Sequence, residues 1–130
     1  MNVSEILKNS KTIAIVGLSD KPDRPSYDVA KYLMQNGYTI IPINPMIQEW
    51  CGVKAYKSLL EIPKETKVDI VDIFRKSEDV PLTVEEAIKL GAKTVWMQLG
   101  VFNEDAAAKA RFAGLNVVMD KCIKIEHSKV

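Results

Sequence analysis

The chain predicts a three-layer α/β fold: a five-stranded parallel sheet with helices on both faces. Three observations carry that expectation. Short, β-branched apolar runs recur along the 130 residues. Segments whose apolar residues follow helical spacing separate them. Glycines, prolines and capping residues punctuate the junctions. A chain of this length makes one domain, residues 1–130, and can bury a core without disulfide staples.

The elements follow in order. "VSEILKN" is a short N-terminal helix that packs outside the sheet. "TIAIVG", Thr12 to Gly17, is apolar throughout, as a strand covered on both faces must be. "SYDVAKYLMQNG" is a helix with Ser26 as N-cap, Val29, Tyr32 and Leu33 on one face, and Gly37 as its stop. "YTIIPIN" is the second strand, in which Pro42 implies a bulge or a strand end. A longer connection with one short helix around Ser58 to Ile62 follows. "VDIVDIF" is the third strand. Asp69 and Asp72 interrupt its apolar run and imply lighter cover. A helix from near Ser77 to Gly91, the strand "KTVWMQLG", a helix capped by Asn103 and ended by Gly114, the strand "NVVMD" and a last short helix capped by Asp120 complete the chain.

Strands alternating with helices give parallel pairing through right-handed crossovers, and the expected strand order is 3-2-1-4-5. In such sheets, Rossmann-like ones among them, ligands sit beyond the carboxyl ends of the strands, here centred between the first and fourth. The candidates are therefore the residues just past each strand.

Composition narrows the function. The formal net charge is +1, which gives no global attraction to nucleic acid or to an anionic membrane. The apolar runs are too short to span a bilayer, and "MNVSEILKNS" has no signal-peptide apolar stretch, so a cytoplasmic location is expected. Two separated cysteines, Cys51 and Cys122, and the single histidine His127 imply neither a structural disulfide nor a metal site.

The loop "GLSDKPDRPSYD" after the first strand carries the clearest chemistry. Gly17 permits a sharp turn and a close approach. Ser19 stands where a dinucleotide fingerprint has its second glycine and offers a hydroxyl donor. Lys21 and Arg24 bring positive charge, the latter as a fork suited to phosphate. Pro25 stiffens the loop, and Ser26 and Tyr27 open a helix whose first amides attract anions. The second strand ends in Asn44 and Pro45, without the carboxylate that an NAD ribose requires. Phe74 and Arg75 end the third strand, with Glu78 and Asp79 as alternative ion-pair partners for the arginine. Gln98 and Gly100 end the fourth.

These segments, "VGLSDKPDRPSYDVAKYLMQNGYTIIPINP", "VDIVDIFRKSEDVP", "VWMQLG" and "VVMDKCIKIEH", resemble the small stand-alone CoA-binding proteins. That family is similar to the N-terminal CoA-binding domain of the succinyl-CoA synthetase alpha subunit. The resemblance runs from about Thr12 to His127 and implies a Rossmann-like domain that binds coenzyme A or acyl-CoA. It assigns Gly17, Ser19, Arg24 and Ser26 to the phosphates, Asn44 and Pro45 to the nucleotide end, and Phe74, Arg75 and Gln98 to the crevice.

No catalytic constellation emerges. His127 is terminal and reads as structural or solvated, and Asp69 with Asp72 as strand-edge polarity. The expectation is a non-catalytic binding, sensor or regulatory module. The alternatives are an NAD(P) enzyme or a subunit that completes an active site with a protein partner or in a homo-oligomer. Cys122, in the first turn of the last helix beside Lys121 and Lys124, is a candidate for thiol exchange with CoA.

Overall fold

The computed structural model describes every residue from Met1 to Val130. Seven strands and five α-helices follow the chain in the order α1 (Val3–Asn9), β1 (Thr12–Val16), α2 (Pro25–Gln35), β2 (Thr39–Ile43), β3 (Glu49–Trp50), β4 (Val53–Lys54), β5 (Ile70–Ile73), α3 (Val80–Leu90), β6 (Thr94–Met97), α4 (Glu104–Phe112), β7 (Asn116–Val118) and α5 (Ile123–Ser128). Single 3-10 turns at Leu59–Glu61 and Ser77–Asp79 complete them. No helix is long and apolar enough to cross a membrane.

The five-stranded sheet is wholly parallel and has helices on both faces, as the sequence predicts, and the fold is Rossmann-like. Alternation along β1 builds the two layers. Ala14 and Val16 join the core under α3 and α4, while Ile13 and Ile15 join the core under α1, α2 and α5.

The strand order differs from the expected 3-2-1-4-5. The sheet runs β2-β1-β5-β6-β7, so the third predicted strand lies beside the first rather than outside the second. Burial explains why. Ile70, Val71, Asp72 and Ile73 are all buried, Asp72 included, as suits a central strand covered on both faces. The chain between β2 and β5 carries no α-helix to pack β5 outside β2. It forms the β3–β4 hairpin, which the sequence reading missed, and crosses back over the sheet. The order therefore reverses between β1 and β5, not between the first and fourth predicted strands.

Pro42 fits because β2 is an edge strand. Thr39 N donates inward to Lys11 O, so the alternating Pro42 position faces outward, and its missing N–H costs the sheet nothing. Along that outer side Tyr56 N donates to Pro42 O at 3.0 Å and Asn44 N to Tyr56 O at 2.9 Å.

Two caps differ from expectation. Arg24, not Ser26, is the N-cap of α2, with Pro25 at the first helical position. Cys122, not Asp120, is the N-cap of α5. Asp120 adopts a left-handed φ of 57° and its carboxylate accepts from Gly100 N at 2.7 Å. Asn103 does cap α4, accepting from Ala106 N at 2.9 Å.

Candidate functional site

The carboxyl ends of β1 and β5 meet at Gly17, which has φ 85°. A Cβ built on Gly17 would lie 2.3 Å from the carbonyl oxygen of Phe74, so only glycine fits. Phe74 N donates to Val16 O at 2.9 Å and Gly17 N to Ile43 O at 2.9 Å, locking the ends of β1, β2 and β5 together. The close approach that the sequence reading assigned to a ligand is thus one between two strand ends.

The loop after Gly17 is held from within. Ser26 is buried, and its Oγ accepts from Ser19 N at 2.9 Å instead of capping the helix. Ser19 Oγ accepts from Lys21 N at 3.1 Å, and Arg24 N donates to Lys21 O at 3.1 Å. Asn44 ties this loop to the end of β2: its Nδ2 donates to Leu18 O and its Oδ1 accepts from Met46 N, both at 2.8 Å. Both ends of its carboxamide are therefore engaged in positioning the loop. Tyr27 packs edge-on against the buried Trp50, ring centroids 5.4 Å apart, and its hydroxyl lies 3.4 Å from Cys51 Sγ, a hydrogen-bonding neighbour that pushes the phenol pKa up.

What these bonds leave free is positive charge. None of Lys21, Arg24 and Arg75 joins an ion pair within the protein. Arg75 does not pair with Glu78 or Asp79, although all three face one cavity.

Two cavities adjoin the strand ends, one on each face of the sheet, and the half-buried Arg75 lines both. The first, of about 600 Å³, is polar. Val16 and Ile43 form its base and Lys57, Ser58, Thr83 and Glu86 stand among its walls. The second, of about 570 Å³, is mostly apolar and lies between α2 and α5. Pro25, Phe74, Arg75, Gln98 and Cys122, all singled out by sequence, line it together. Lys124 of α5 pairs with Asp28 of α2 at 2.8 Å beside it, and that hydrogen bond raises the lysine pKa. Gly17, Ser19, Lys21, Arg24, Ser26, Tyr27, Asn44, Pro45 and Gly100 line neither cavity.

Sequence reasoning missed Val29 and Ile125 as walls of the apolar cavity. Their signal was spacing: Val29 lies one turn beyond Pro25, and Ile125 three residues beyond Cys122, each on a shared helix face. Lys57 and Ser58 had no comparable signal, because they reach the strand ends only through the crossing connection. His127 lies at the opposite end of the sheet. Its Nδ1 is 2.8 Å from the hydroxyl of Tyr32 and its ring packs against Tyr38, which precedes β2.

Fold and strand-end crevice together define the class, a Rossmann-like α/β domain whose strand order reverses between β1 and β5. Within that class the chain belongs to the CoA binding domain family, whose sequence profile matches residues 11–128. This agrees with the resemblance carried by the loop and strand-end motifs. The chain is 48% identical over 126 residues to the YneT protein of Bacillus subtilis, covering 97% of this chain and 92% of that one. A protein of Pyrococcus horikoshii with a solved structure superposes with a TM-score of 0.93 at 44% identity, over 98% of this chain and 88% of that one. The alpha subunit of ADP-forming acetate–CoA ligase II of Pyrococcus furiosus is 36% identical over 97 residues, which is 74% of this chain. The match covers only 21% of that subunit's length.

Proposed function

We propose that this protein binds coenzyme A or an acyl-CoA across the carboxyl ends of β1, β5 and β6, as a binding, sensor or regulatory module without chemistry of its own. The observation that carries the reading is the set of three unpaired cations, Lys21, Arg24 and Arg75, at the switch point of a CoA-binding-family domain. CoA carries a diphosphate and a 3′-phosphate, an anionic charge that these cations match. Ser19, Ser26 and the first turn of α2 sit with them in the phosphate role. Asn44 acts through the loop that it holds, with Pro45 beside it, and Gly17 allows the strand ends to close. The apolar cavity with Phe74 and Gln98 suits the pantetheine arm or an acyl chain.

Calorimetric titration with CoA, acetyl-CoA, NAD and NADP tests this. CoA should bind with micromolar affinity, about −8 kcal/mol, and NAD far more weakly. Arg24→Ala should weaken CoA binding by about 1.5–3 kcal/mol, the value of charge-assisted hydrogen bonds. NAD binding tighter than CoA overturns the reading.

A second reading, a subunit completed by a partner, draws support from exposed apolar side chains on the outer helices. Leu82 of α3 is 66% exposed and Phe112 of α4 is 96% exposed. Light scattering with and without CoA separates the two, since a monomer in both conditions removes self-association as the completing step.

A further inference from the structure

The apolar cavity holds a group that a purely non-covalent pocket does not need. Cys122 lines it as a free, half-buried thiol. As the N-cap of α5 it makes no side-chain capping bond, and it packs against the core under α2 and α5 without a hydrogen bond. A second feature of the same cavity points to a ligand independently. Gln98, only 4% exposed, also lines it. Its Oε1 accepts from Ile123 N at 3.0 Å, which fixes the carboxamide. No hydrogen bond within the protein takes the two N–H donors of Nε2. A donor free in this way can bond a ligand without giving up a bond to the protein. A thiol, an amide donor with no protein partner and apolar walls from α2 and α5 together suit a long, amide-bearing arm that ends in sulfur.

The geometry points to Cys122 as a site of covalent modification by coenzyme A through thiol–disulfide exchange. This rests on the CoA-binding reading and adds a chemical step to it. The co-reactant is the symmetric disulfide of CoA. Cys122 Sγ, its proton released to solvent, attacks the nearer sulfur of the bound disulfide. The Cys122–CoA S–S bond forms as the CoA–CoA bond breaks. The second CoA leaves as a thiolate and takes a proton from water. Cys122 is oxidised and one CoA sulfur is reduced, so no further oxidant enters. Cys51 is not equivalent: it is exposed at the β3–β4 turn and lines neither cavity.

The test is intact mass after incubation of reduced protein with CoA disulfide, with oxidised glutathione as the comparison disulfide. Wild type and Cys51→Ser should each gain one CoA unit that dithiothreitol removes, and Cys122→Ser should gain none. Tryptic mapping of wild type places the adduct directly should that variant not fold. Exchange should run at least about tenfold faster with CoA disulfide than with oxidised glutathione, the advantage of a bound and oriented reactant. Saturating acetyl-CoA, which has no free sulfur, should block it. An adduct on Cys51 instead, equal rates with the two disulfides, or no adduct overturns the inference. Calorimetry of the reduced wild type with CoA runs alongside. Binding without an adduct overturns only this step, whereas neither binding nor adduct overturns the proposed function as well.

Discussion

At the amino ends of the strands, Asp69 accepts from the amides of Lys11 and Thr12 at 2.8 and 2.9 Å and pairs with Lys93 at 3.5 Å. Tyr38 donates to Leu7 O at 2.7 Å, and Tyr32 meets His127 at 2.8 Å. At the carboxyl ends, by contrast, Lys21, Arg24 and Arg75 have no ion-pair partner, and Gln98 uses its carbonyl and not its amino group. One end directs its polar groups at the protein itself. The other holds the backbone rigidly through Gly17 and Asn44 and leaves its three cations without an internal partner. Stability resides at the first end and the proposed recognition falls to the second, with the glycine contact as the exception that stabilises the second end too.

That exception offers the largest effect. Gly17→Ala puts a methyl group against the Phe74 carbonyl at a left-handed φ, and should cost about 3 kcal/mol or more in urea unfolding. A loss below about 1 kcal/mol would mean that the β5 end yields, and that the recognition end is not rigid. Asp69→Ala should cost about 2–3 kcal/mol at neutral pH, because two part-buried amides lose a charged acceptor.

The two aspartates of the third predicted strand sharpen the comparison through pH. Burial acts to raise the Asp69 pKa, but the amides of Lys11 and Thr12 and the charge of Lys93 outweigh it and leave the carboxyl below its ordinary 3.8. Its stabilisation is present above 3.8 and disappears as pH falls through the lowered folded value. Asp72 is fully buried beside Ile15 and Trp96, with neither oxygen hydrogen-bonded, and burial pushes its carboxyl well above 3.8. Below 3.8 both folded and unfolded states hold that proton. As pH climbs past 3.8 the unfolded chain releases it first, so stability falls until the raised folded value is reached. Asp72→Asn should abolish that decline and leave the acid-side loss intact, as read from unfolding midpoints across pH. An unchanged profile would show Asp72 to be solvated. The smallest expected change is in the stability of Arg24→Ala, within about 0.5 kcal/mol of wild type, because the exposed guanidinium bonds to nothing in the protein. A larger loss would make Arg24 part of the scaffold.

The fold class was legible because runs such as "TIAIVG" and "TVWM" are too short and too β-branched for helices, and glycines such as Gly91 stop the helices between them. The strand order was not. Asp69 and Asp72 suggested light cover, whereas the first is buried by its hydrogen bonds and the second by neutralisation, neither of which composition reveals. The β3–β4 hairpin did leave a trace. Cys51 and Gly52 both have positive φ, 48° and 79°, the pattern of a two-residue hairpin turn. The site was legible to the extent that strand ends are: Pro25, Phe74, Arg75, Gln98 and Cys122 do converge on one cavity. The structural tasks of Ser26 and Asn44 were hidden, because each bonds a segment that only the fold brings near.

The strap that Tyr56 lays along β2 reaches beyond the local hydrogen bonds. It occupies the outward peptide groups of an edge that already contains Pro42, and the opposite edge, β7, offers only three residues. The strap on one border and the shortness of the other make both poor templates for strand addition by another chain. Any association with copies of itself or with other proteins would then fall to side chains on its helical faces and loops, where a single substitution can tune it without disturbing the sheet.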